Sequence, residues 1–96
     1  MNQIDQAKAI ITSGLYQDNL LRLVPLCDQL IPTEPVLWFI LKSIFSSLET
    51  EYDNQAISSK RYEEVENLIP KLINAIDDPS IYNLNALIND FSFRNS

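Results

Sequence analysis

Hydrophobic positions recur at helical spacing along nearly the whole chain. Over residues 2–13, Ile4, Ala7, Ile10 and Ile11 fall on one helical face, and Gly14 stands where a C-terminal cap belongs. A second segment carries Leu20, Leu21, Leu23, Val24, Cys27, Leu30 and Ile31 as a broad apolar stripe, with Asp18 as its candidate N-cap. Pro25 lies inside that stripe and lacks the backbone donor a helix needs, so a kink or break is expected near Leu21 to Val24. Thr33 is positioned to cap a third helix that has Glu34 and Pro35 in its first turn.

That third helix, at about residues 34–52, is the most apolar element. Val36 to Leu41 is hydrophobic all round, which predicts a central helix buried on several sides, and Ile44, Phe45, Leu48 and Tyr52 continue one face. Asp53 to Ala56 reads as a loop. Ser58 is a candidate N-cap for the fourth helix, with Ile57 and Tyr62 at the two positions of a hydrophobic staple. Tyr62, Val65, Leu68, Ile69, Leu72, Ile73 and Ile76 then keep the helical period, with Pro70 interrupting from the polar side. Asp78 and Pro79 form an N-cap and first-position pair for a last helix that would bury Ile81, Leu84, Leu87, Ile88 and Phe91. Ser92 to Ser96 is expected to fray. The pattern predicts one all-α domain over residues 1–96, a compact antiparallel bundle of four to five helices.

Composition sharpens this picture chiefly by what it excludes. The chain has one glycine and no histidine. Hairpin turns and phosphate-cradling loops depend on glycines, so neither is expected. Without histidine, Ser-His-Asp and Cys-His nucleophile pairs and His-ligated zinc are closed off, and a single cysteine cannot build a thiolate metal centre. We therefore expect no enzyme activity, no metal and no cofactor. Glu49, Glu51 and Asp53 alternate before a loop, but a calcium loop counted from Glu49 would need glycine at Asn54 and glutamate at Lys60. These acids read as a solvated helix end. Cys27 lies on the apolar stripe and reads as a buried, inert thiol.

Charge is uneven. Net charge is −6, and residues 49–96 carry nine acids against four bases. An acidic surface disfavours nucleic acid. Glu63, Glu64 and Glu66 cluster early in the fourth helix and form a candidate docking surface for a basic partner. Trp38 and Phe39 point to adjacent faces of the third helix, so at least one is expected to look away from the core, as part of a partner interface or of a homodimer. Residues 1–13 lack the features of a secretory signal, and the longest apolar run, Val36 to Leu41, is too short to span a membrane. A cytoplasmic protein is expected.

Two resemblances follow from these segments. Leu68 to Leu87, apolar at helical spacing around an Asp-Pro turn, resembles the helix–turn–helix of HEAT repeats. The length, helical pattern and amphipathic fourth helix are similar to the small bacteriocin-immunity bundles, which implies protection of a cell from a peptide toxin. Only Arg94 is basic after Lys71, so that family's basic C-terminal feature has no counterpart here. The leading expectation is a non-enzymatic protein–protein interaction module. If Glu63, Glu64 and Glu66 dock a basic partner, its affinity should fall as salt is raised from about 0.05 to about 0.5 M, read by titration at each ionic strength.

Overall fold

The computed structural model describes residues 2–55 and 57–91, so Ala56 and the expected frayed tail, 92–96, lie outside the described residues. Six helices follow in order: α1 (Gln3–Thr12), α2 (Gln17–Leu30), α3 (Pro35–Asp53), α4 (Ser59–Glu66), α5 (Ile69–Asp77) and α6 (Ile81–Asp90). There is no strand among the described residues, and the all-α bundle stands. No helix is long and apolar enough to cross a membrane among the described residues.

The helix count exceeds the expected four to five because the fourth segment divides. Pro70 has no N–H for the Glu66 carbonyl, so the helical ladder is interrupted one turn before the proline. Leu68 instead donates its N–H to the Val65 carbonyl in a tighter turn, 3.1 Å. Pro70 then takes a first-turn position of α5, where no donor is needed. Pro25 behaves differently: α2 runs through it without a break from Gln17 to Leu30. Pro25 and Leu21, whose carbonyl loses its donor, are both on the exposed side. Water can serve that carbonyl, while Leu20, Leu23, Leu26 and Cys27 anchor both halves of the helix in the core.

Several caps shift by one or two residues. Tyr16, not Asp18, is the N-cap of α2, and Asp18 sits in its first turn. Thr33 closes α2 rather than opening α3: its hydroxyl donates to the Leu30 carbonyl at 2.6 Å, and Glu34 is the N-cap before Pro35. Asp78 ends α5, and Ser80 caps α6 by accepting the Asn83 N–H. Ser58 caps α4 as expected, accepting the Arg61 N–H at 3.1 Å. Gly14, at φ +121°, turns the chain after α1. That φ favours glycine, and a Cβ there would stand 2.4 Å from the half-exposed Tyr16 ring, which would have to swing aside.

One contiguous core joins all six helices. α3 supplies Leu37, Trp38, Leu41, Ile44, Phe45 and Leu48 to it and packs most extensively on α2. α1 lies against α2 and α5, and α6 against α5 and α3. α4 contributes Val65 and, unexpectedly, Arg61. Arg61 is 3% exposed and meets Glu51, 6% exposed, near the end of α3. The pair is bidentate: Arg61 Nε donates to Glu51 Oε1 at 2.9 Å and Nη2 to Oε2 at 3.0 Å. The Phe91 ring lies under the guanidinium, 5.1 Å from Cζ to the ring centroid. Glu51 is thus not at a solvated helix end. It follows Leu48 by three residues and Ile44 by seven, on the buried stripe of α3.

Truncating one partner of such a pair leaves the other charge buried, which destabilises by about 3–5 kcal/mol. Arg61→Ala should therefore lower the urea midpoint sharply. The double change Glu51→Leu with Arg61→Met should recover most of that loss, since it removes both charges and keeps the volume.

Candidate interaction surface

α3 has two unlike sides. At 100° per residue, Val36, Phe39, Ile40, Ser43, Ser46, Ser47 and Thr50 fall within a sector of about 120°, turned away from Leu37, Leu41, Ile44 and Leu48. No residue in this outer sector is charged. Its first half is bulky and apolar, its second half small and hydroxylated. Two of the four hydroxyls bond back to the helix: Ser43 donates to the Phe39 carbonyl at 2.9 Å and Thr50 to the Ser46 carbonyl at 3.1 Å.

The apolar half is open to solvent. Val36 is 62% and Phe39 63% exposed. With Ile31, Pro35 and Ile40 they line a shallow groove of about 310 Å³ at the corner where α2 gives way to α3. The lining is wholly apolar, so nothing in it would orient a small molecule. Trp38 is 1% exposed and belongs to the core. Of the adjacent pair expected to straddle core and surface, Phe39 is therefore the one that faces outward. Val36 to Leu41 cannot be enclosed on every side because the neighbouring helices cover only the inner part of the circumference. Charges at the edge of the patch are of both signs, with Glu34 exposed and Lys42 paired to Asp28 at 2.6 Å.

Glu63, Glu64 and Glu66 are all exposed on α4. They do not form a free acidic surface of three. Glu64 lies 3.4 Å from Arg61 Nη1, and Glu66 sits one turn after Tyr62. The Tyr62 ring stacks on Tyr16, with centroids 5.7 Å apart, and its hydroxyl is buried close to Tyr16 and Glu66. Burial raises the pKa of that hydroxyl well above the ordinary tyrosine value, and the neighbouring Tyr16 and Glu66 add to the effect. It stays a neutral phenol. The nearby Tyr52 hydroxyl, half-buried, donates to the Leu15 carbonyl at 2.9 Å and ties α3 to the turn before α2. Ile81 and Ile88, expected on the buried face of α6, are exposed instead, and Ile81 forms a second exposed apolar pair with Tyr82 at the start of that helix.

Among the described residues no group of three His, Cys, Asp or Glu side chains is placed to hold a metal ion. Cys27 is fully buried, and burial pushes its thiol up to about 12. At pH 8 its thiolate fraction is therefore negligible, and labelling needs the helix pair α2–α3 to open. Reaction with a disulfide reagent in the native state should run orders of magnitude slower than with the denatured chain. Fast stoichiometric labelling of the folded protein would show that α2 is not seated as described.

Comparison of this chain with protein-family models, with curated proteins and with solved structures finds no match.

Proposed function

We propose that this chain is a non-enzymatic protein–protein interaction module that presents the outer face of α3 to its partner. The observation that carries the proposal is the joint exposure of Val36 and Phe39 beside an apolar groove. Single exposed apolar side chains are ordinary on a protein surface, but a contiguous set around a cleft marks a contact site. Polar residues at these positions would serve the fold equally well, because neither side chain packs into the core. Exposed apolar surface disfavours the free state by roughly 25 cal/mol per Å², which a partner relieves on binding.

Phe39 is the anchor of such a contact. Aromatic side chains near the centre of an interface, surrounded by smaller apolar groups, carry a disproportionate share of binding energy. The exposed carboxylates Glu63 and Glu66 lie on α4, on a separate element, and form a secondary site at most for a basic partner. The non-enzymatic part of the reading rests on the missing histidine and single glycine. A reducing compartment such as the cytoplasm fits a lone, buried cysteine.

Phe39→Glu tests the reading. The substitution adds charge to the patch at a largely exposed position, so helical content and thermal midpoint should stay close to those of the parent. Partners cross-linked to the wild-type chain in its native cells should be lost from the variant, whereas Glu63→Gln with Glu66→Gln should retain them. Recovery of the same partners by Phe39→Glu would refute the α3 face as the binding site.

A further inference from the structure

We infer that a second pocket, between the start of α1, the α2–α3 corner and the end of α5, receives a basic side chain, lysine or arginine, of a partner protein. The pocket encloses about 260 Å³. The outer face of α3 takes no part in it, since this pocket and the groove beside Phe39 share no lining residue. Ile4, Leu37, Trp38 and Pro79 give the pocket an apolar wall, which suits the aliphatic stem of a long basic side chain. Thr33 and Glu34 supply its polar side-chain atoms.

Those polar atoms can only accept. The Thr33 hydroxyl gives its one hydrogen to the Leu30 carbonyl at 2.6 Å, which leaves lone pairs alone to offer. Glu34 makes no side-chain capping bond to α3 and no ion pair among the described residues. The end of α5 adds further acceptors. The Ile76 carbonyl would take the Ser80 N–H if the helix continued, but Ser80 donates to the Asp78 carbonyl at 2.8 Å instead. One residue earlier, the Ala75 carbonyl meets Pro79, which has no N–H to give. Two carbonyls at the end of α5 are thus left without a backbone donor, and helix carbonyls project past the C-terminal end. Ile76 and Pro79 both line the pocket at that end.

Charge selects the same occupant. The segments that form the pocket, 3–8, 32–38 and 75–80, carry four carboxylates and one lysine. That lysine, Lys8, is already tied to Asp77 at 2.6 Å. The C-terminal end of α5 adds the negative pole of its dipole. An anion would be repelled here, and a purely apolar group would cover the acceptors without bonding to them, which is costly. An ammonium or guanidinium supplies several N–H donors and a positive charge together. One such group makes too few contacts to be held firmly alone, so the remaining binding energy comes from the protein surface that carries it.

Titration of the full chain with Nα-acetyl-lysine methylamide or its arginine counterpart, followed by amide and indole NMR shifts at constant ionic strength, tests the site. Trp38 is the one tryptophan of the chain, so its indole signal reports on the pocket wall unambiguously. The Trp38 indole and the Thr33 and Glu34 amides should shift saturably, with a midpoint of about 1–10 mM. The norleucine analogue, which has the stem without the charge, should bind about fivefold or more weakly. Glu34→Gln, at an exposed position, should keep the rest of the spectrum and weaken both basic probes by about the same factor. Glu63→Gln with Glu66→Gln should bind like the parent. No saturable shift at these signals up to about 50 mM overturns the inference. So does equal binding by the norleucine analogue, or a loss in the α4 variant as large as in Glu34→Gln, which would reflect net charge alone. Ethylammonium binding as tightly as the lysine probe would assign the pocket to a free amine and overturn the partner side chain. Phe39→Glu should bind the probes like the parent, so this result and the reading of the α3 face stand or fall separately.

Discussion

Isolated helices of 8–14 residues are marginal in water, and all the helices described here except α3 fall in that range. Their persistence depends on what they bury. The inner side of α3 provides that surface, with Trp38, Phe45 and four aliphatic side chains fully or nearly fully enclosed. α2 packs along it, α5 and α6 close over other parts of it, and α1 is held through α2 and α5. Loss of this inner face would remove the common partner of most of the other helices. Trp38 is therefore a keystone of the bundle, and the exposed apolar residues Val36 and Phe39 lie on the opposite side of the same helix.

This division has a physical origin. A helix in a bundle of short neighbours is covered over part of its circumference, and the remainder meets solvent. Most helices resolve this with charged residues on the outer side. α3 instead carries Val36, Phe39, Ile40, three serines and a threonine there. The charged side chains of the chain are concentrated elsewhere, where they keep an apolar surface from becoming general stickiness. The α3 face is thus uncharged and shallow, with both signs of charge near its edge.

The Glu51–Arg61 pair performs a different task. α4 is short and contributes little apolar surface, so an aromatic stack through Tyr62 and a buried bidentate ion pair hold it against the bundle. The hydrogen bonds to Glu51 raise the pKa of Arg61 above its already high ordinary value, outweighing the opposing effect of burial, and the guanidinium stays charged at every accessible pH. Buried ion pairs contribute little net stability compared with apolar packing, because desolvation offsets the attraction. Their geometry is demanding, however. Two parallel hydrogen bonds and the Phe91 ring restrict α4 to one register against the end of α3, where Val65 alone would allow others.

Helical spacing in the sequence was sufficient to determine the helix class, the centrality of residues 34–52, the burial of Cys27, the capping role of Ser58 and the turn at Gly14. These follow from local periodicity and backbone preference, which act over a few residues. The sequence also limited the outward-facing aromatic to Trp38 or Phe39, one residue apart. Tertiary structure decided between them, because only the positions of α2, α5 and α6 determine which 100° step meets a neighbour. It likewise decided that Pro25 is carried within a helix while Pro70 ends one, since the outcome depends on whether each interrupted turn faces water and what anchors its flanks. Glu51 illustrates the limit most clearly. Helical spacing read it with Glu49 and Asp53 as a solvated helix end, although it stands three residues from Leu48, because a carboxylate on the buried stripe is tolerable only when Arg61, ten residues on and in another helix, folds back to meet it. Local spacing cannot encode that encounter, which exists only once α4 has packed against α3.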